Sequence, residues 1–169
     1  MITTMKDKLT TRIAYDGVLL ALAMILGFID NMIPMPIPVP GVKLGLANLV
    51  VLYAAYKMGN YDAILISVSR VLLSGLMFAG MSGIMYSLAG AVLSLTVMIL
   101  MHKLTEYHII CISVCGSISH ILGQLLVAAA LTSFGVVVYY APVLLISATV
   151  AGTIIGIVAS AVLVGTKDL

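Results

Sequence analysis

The chain has 169 residues, of which 63% are hydrophobic and only 8% charged. Soluble domains run at about 45–50% apolar and about 25% charged, so this composition excludes a water-soluble globular fold. A formal net charge of +2 is too small to point to nucleic acid as a partner. What remains is an all-α integral membrane protein with the lipid bilayer as its solvent.

A spanning helix needs about 20 apolar residues. Residues 1–12 are polar and basic, too hydrophilic to span, and form a tail. No small-residue cleavage site follows the apolar run that begins at Ile13, so this is not a cleavable signal peptide. The first span covers residues 13–33. It stops at Pro34, and Pro34, Pro36, Pro38 and Pro40 then alternate up to Gly41. Proline at every second position cannot continue a helix, so residues 34–43 form an extended loop. The second run, 44–56, is short for a span; the third, 62–78, carries Arg70 near its middle. The fourth covers 82–101, the fifth 109–131, and the sixth 136–164 with Pro142 in its first turns. The loops are short, so neighbouring helices pack antiparallel. The expectation is one membrane domain over residues 1–169, a bundle of about six transmembrane helices.

Orientation follows from the basic residues, which favour the cytoplasmic side. With six spans, one side holds Lys6, Lys8, Arg12, Lys57, Lys103 and Lys167, and the other only Lys43. Both termini are therefore expected to be cytoplasmic, with the proline-rich loop outside. Small residues also recur at helical spacing: Ala148, Gly152, Gly156 and Ser160, Gly17 and Ala21, Ala23 and Gly27. Such faces let helices approach closely in lipid, either within the bundle or against a partner. Cys111 and Cys115, spaced i, i+4 in one apolar run, read as small apolar fillers, since no third metal ligand lies nearby.

Polar groups inside a membrane are costly and mark function. Arg70 sits mid-span, and His120 and Gln124 share one face of the fifth helix. Asn48 lies a turn into the second helix, Asp30 and Lys43 flank the proline loop, and Tyr86, Tyr139 and Tyr140 lie near the same side. These groups can line one cavity open to the outside. Each also has a structural reading. Arg70 can be satisfied by carbonyls or by Asp30, His120 and Gln124 can join helices by hydrogen bonds, Asn48 can cap, and the paired tyrosines can anchor at the interface. Arg70 and Lys43 favour an anionic or acceptor-rich ligand and the tyrosines favour a ring; a flavin-like vitamin satisfies both. Enzyme signals are missing. There are no paired carboxylates for magnesium and diphosphate, no phosphate-binding Gly-rich loop ending in Lys-Ser/Thr, and no His-Glu-x-x-His. Ser119 and His120 point about 100° apart on a helix, which spoils a nucleophile–base pair. The expected protein is a binder without catalytic centre, cofactor or metal.

Four stretches are distinctive: Ile37-Pro-Val-Pro-Gly-Val-Lys-Leu-Gly-Leu-Ala-Asn-Leu-Val50, Ser69-Arg70-Val-Leu-Leu-Ser-Gly75, Tyr86-Ser-Leu-Ala-Gly-Ala91 and Ser119-His-Ile-Leu-Gly-Gln124. Together they resemble the small bacterial membrane family labelled Gx transporter or heptaprenyl diphosphate synthase component I. Many members read His-Asn where this chain has His120-Ile121. That family in turn resembles the S components of energy-coupling factor transporters. The resemblance implies a multi-pass protein of the bacterial cytoplasmic membrane that binds a vitamin-like molecule from outside. It implies a transmembrane coupling protein and cytoplasmic ATPases as partners. It also implies that a small-residue face on the first helix, here Gly17 and Ala21, meets the coupling protein. On this reading the substrate-binding residues are Arg70, His120, Gln124, Asn48, Lys43 and Tyr86. The synthase label implies an alternative, a non-catalytic membrane partner in isoprenoid or quinone synthesis, because the Asp-rich motifs of prenyl diphosphate synthases are missing here.

Overall fold

The computed structural model describes residues 2–32, 45–104, 108–132 and 134–166, with side chains from residue 9 onward. Among these, every regular element is helical: α1 (Ile2–Met32), α2 (Asn48–Lys57), α3 (Asn60–Ser74), a π-helical turn (Gly75–Ala79), α4 (Gly80–Leu104), α5 (Ile109–Leu131) and α6 (Phe134–Gly165). Four helical runs are long and apolar enough to cross a bilayer: Leu9–Met32, Asn60–Leu104, Ile109–Leu131 and Phe134–Gly165. The proline-rich loop, Lys43 and Lys167 lie outside the described residues, as do the side chains of Lys6 and Lys8.

The run Asn60–Leu104 is 45 residues long. Drawn out straight it would reach about 68 Å, more than twice the thickness of the hydrocarbon core. The chain instead turns back at Gly80, whose φ of 67° and ψ of −176° break the helix. Ile84 fills the space where Gly75 would carry a Cβ, and Leu95 of α4 shares an apolar cluster with Ile66 of α3. Those pairings meet symmetrically about residue 80, so α3 and α4 form an antiparallel hairpin. In contrast, α2 has only 10 residues, about 15 Å, and cannot cross alone.

Contacts between helix ends fix a common up–down order. Arg12 of α1 pairs with Asp62 of α3, Lys57 of α2 with the Thr166 carbonyl after α6, and Tyr56 of α2 with His102 of α4. These define the end of the bundle that carries both ends of the described chain. At the far end Asp30 of α1 meets Gly45 ahead of α2, and Phe28 lies 5.1 Å from Phe78. α5 packs along both α4 and α6, while α2 sits between α6 and the α1–α3 pair.

Small residues set the closest approaches. A Cβ on Gly123 would lie 2.5 Å from the Ala89 carbonyl oxygen, and one on Gly152 or Gly156 would lie 2.8 or 2.7 Å from the α5 backbone. The α6 stripe is thus internal bundle packing, the less specialised of its two sequence readings. Gly17 and Ala21 point away from the bundle; nothing lies within 4 Å of a Cβ at Gly17. The backbone of residues 2–12, read as a tail, continues α1 as helix. Pro142 lies inside α6 near its N-terminal end, as the sequence predicts; neighbouring helices make such a proline tolerable in a membrane bundle. One local expectation is corrected: Cys111 is exposed on the surface of the bundle and does not fill the core.

Candidate functional site

The far half of the bundle gathers buried polar side chains from four helices, α1, α2, α3 and α5. Asp30, Asn48, Arg70, His120 and Gln124 are all at most 5% exposed. Leaving such groups unmatched in a bilayer costs several kcal/mol each, so their placement needs partners or a ligand.

The site is built outward from α5. His120 and Gln124 stand one turn apart, with Nε2 of each 3.2 Å from the other. The imidazole lies against Gly90 of α4, where a Cβ would sit 2.9 Å from both its Nδ1 and the His120 carbonyl oxygen. Its other side faces the start of α2: a Cβ on Gly45 would be 3.5 Å from His120 Cδ2 and 3.1 Å from Asn48 Nδ2. Gly45 also has φ +84°, a conformation that other residues reach only with strain. Two glycines thus bracket the histidine ring, one for space and one for both space and backbone shape.

Asp30 joins α1 to this arrangement. Its Oδ2 accepts the backbone N–H groups of Gly45 at 2.8 Å and Leu46 at 3.3 Å, capping the turn that opens α2. The same carboxylate acts electrostatically on Arg70 of α3. Asp30 therefore does two things: it fixes the Gly45 turn and offsets part of the burial cost of the Arg70 guanidinium. Arg70 Nε and Nη2 and Asn48 Nδ2 are buried donors without a hydrogen-bond partner among the described residues. Buried polar atoms are normally paired, so these N–H groups are the acceptor-seeking part of the site. Arg70 stands one turn before the π-helical turn Gly75–Ala79, and such irregularities occur frequently at functional positions.

The sequence candidates divide. Asn48, His120 and Gln124 come together, and Arg70 reaches the group through Asp30. Asn48 is the first residue of α2, not one turn in, because the turn at Gly45–Ala47 delays the helix. Tyr86 is 3% exposed and packs in an apolar cluster with Ile121, Leu125 and Leu144, one turn from Gly90. Lys43 is among the residues not described. Tyr139 and Tyr140 form an edge-to-face pair, with Tyr139 exposed and Tyr140 against the same cluster. The sequence points to Asp30 as a partner for Arg70 but not to its hold on the Gly45 turn, and gives no role to Gly45 or Gly90. The available signal was Gly45 within Lys-Leu-Gly-x-Ala-Asn, a glycine three residues before a polar helix start.

A second polar junction lies at the opposite end. Arg12 donates to both Asp62 oxygens, at 2.9 Å and 2.6 Å from Nη2 and 3.1 Å from Nε. This bidentate pair ties α1 to α3, and Asp62 is fully buried behind it.

Two comparisons found nothing: no curated protein and no solved structure matches the chain. A family model described as heptaprenyl diphosphate synthase component I matches residues 19–162.

Proposed function

We propose, from a chain that belongs to the heptaprenyl diphosphate synthase component I family, that the protein is a membrane-embedded solute-binding subunit. In this reading it crosses the membrane six times with both termini in the cytoplasm. The polar site then opens to the outside, and the lysine and arginine bias agrees with that orientation. The observation that carries the proposal is the buried donor set of Arg70 and Asn48 beside His120 and Gln124. A purely structural polar cluster would be paired throughout; this one presents donors suited to an acceptor-rich, vitamin-like molecule such as a flavin. The two ring-flanking glycines keep aliphatic side chains out of the same space.

Concentrative uptake would draw its energy from a transmembrane coupling protein and cytoplasmic ATPases, as in energy-coupling factor transporters. The outward-facing Gly17 and Ala21 on α1 supply a face on which such a partner can approach closely. A second reading has its own support in the family's description: a non-catalytic membrane partner of heptaprenyl diphosphate synthesis. Affinity purification from native membranes in mild detergent separates them. Recovery of ATPase subunits with a coupling protein is expected. Recovery of a soluble prenyl diphosphate synthase without ATPases would transfer the assignment to the second reading.

A further inference from the structure

A separate feature lies at the other end of the molecule. α1 packs on α2 and α3, and α6 on α5 and α2, which leaves a groove between α1 and α6 with α2 as its floor. The cavity holds about 560 Å³. Val18 and Leu22 of α1 form one wall, Val162 of α6 the other, and Val50 and Tyr53 of α2 the base. Val18 is 68% exposed, Leu22 44% and Val162 42%, so the groove opens sideways, where lipid lies. From Tyr15 to Leu22 it follows α1 for about 10 Å, the reach of part of a hydrocarbon chain.

One end is polar. Lys57 and Thr166 close the groove at the end that carries both ends of the described chain. Lys57 is the single charged side chain among the described lining residues. One of its N–H groups goes to the Thr166 carbonyl oxygen; an ammonium has two more to give. Tyr15 and Tyr53 are in the lining as well, and tyrosine suits the boundary between hydrocarbon and head groups.

We propose that this groove is a specific site for an anionic phospholipid, one acyl chain lying between α1 and α6 and its phosphodiester on Lys57. Charge decides between candidate amphiphiles. One ammonium matches the single negative charge of a phosphodiester, whereas a prenyl diphosphate would bring more negative charge than the described lining residues compensate. The site is independent of the polar cluster at the far end and of the solute-binding reading.

The sequence supplies a clean reporter, because it has no tryptophan. Tyr53→Trp places one in the groove, and Ile157→Trp places one on the exposed face of α6 as a control. The full-length variants are reconstituted in vesicles of phosphatidylcholine mixed with brominated phosphatidylglycerol or brominated phosphatidylcholine, and quenching is measured. The groove tryptophan should prefer phosphatidylglycerol by about fivefold, the scale of one lysine–anion contact at a membrane surface. Lys57→Gln should bring that preference close to one, and the control should show none. Equal preference at both tryptophans, or a preference that survives Lys57→Gln, would overturn the proposal. So would a groove tryptophan that neither lipid quenches, since a protein segment would then fill the groove. Displacement of brominated phosphatidylglycerol by equimolar farnesyl diphosphate would reassign the site to a prenyl ligand.

Discussion

Arg70 concentrates the energetic problem of this protein in one side chain. A guanidinium 5% exposed among apolar helices has part of its burial cost offset by the opposite charge of Asp30, yet two of its donor nitrogens lack partners among the described residues. If a ligand acceptor fills that role, Arg70→Ala should weaken binding by about 1.5–3 kcal/mol, the range for a charge-assisted hydrogen bond. Arg70→Lys should restore only part of it, since a point charge does not reproduce the planar fork. Isothermal titration on the detergent-solubilised protein measures both. Unchanged affinity in Arg70→Ala would make the arginine structural. Gly90 gives a complementary test. A side chain there meets the His120 ring and backbone within 2.9 Å, and overpacking of this kind costs about 1–3 kcal/mol. Gly90→Val should therefore lower the thermal stability of the empty protein and displace the imidazole, whereas Arg70→Ala should spare stability more than binding. Stability lost equally in both would argue that the whole cluster is a packing device.

Helix faces have different destinations although the sequence presents them alike. The α6 glycines lie against α5, Ala23 is fully buried, and Gly17 and Ala21 face outward. Doubling the bulk of the outward face, as in Gly17→Leu with Ala21→Leu, should leave ligand binding by the isolated protein intact. If this face docks the proposed coupling protein, the same change should abolish co-purification of ATPase subunits. Loss of binding with retention of the subunits would move the docking surface elsewhere. The contrast also marks what was readable in advance. Helix existence followed from apolar run length, and the polar residues 48, 70, 120 and 124 stood out because a bilayer penalises them. Which small-residue face turns inward was not readable, since spacing is identical for a face that meets α5 and one that meets lipid. The Asp30–Gly45 contact and the Arg12–Asp62 pair were hidden for a different reason: each joins residues at least 15 positions apart, and the bundle order that brings them together is a property of packing.

At the scale of the molecule, two polar junctions sit at opposite ends of an apolar bundle, Asp30–Gly45 at one and Arg12–Asp62 at the other. Both involve α1, the helix whose outer face is left open. Orientation decides which junction faces the outside. In a background with Cys111→Ala and Cys115→Ala, a cysteine at Thr132 should react with an impermeant thiol reagent in whole cells. One at Tyr61, 72% exposed at the other end, should not. The reverse pattern would turn the polar site toward the cytoplasm and contradict the proposed role in uptake. Binding of a small molecule by the far-end cluster is tested most directly by mass spectrometry of compounds retained after mild purification, with wild type and Arg70→Ala prepared side by side at equal folded yield. One acceptor-rich small molecule at near-stoichiometric amount is expected in the wild type, and its loss in Arg70→Ala. No retained compound in either preparation, together with no ligand-induced thermal shift across a vitamin panel, would contradict it.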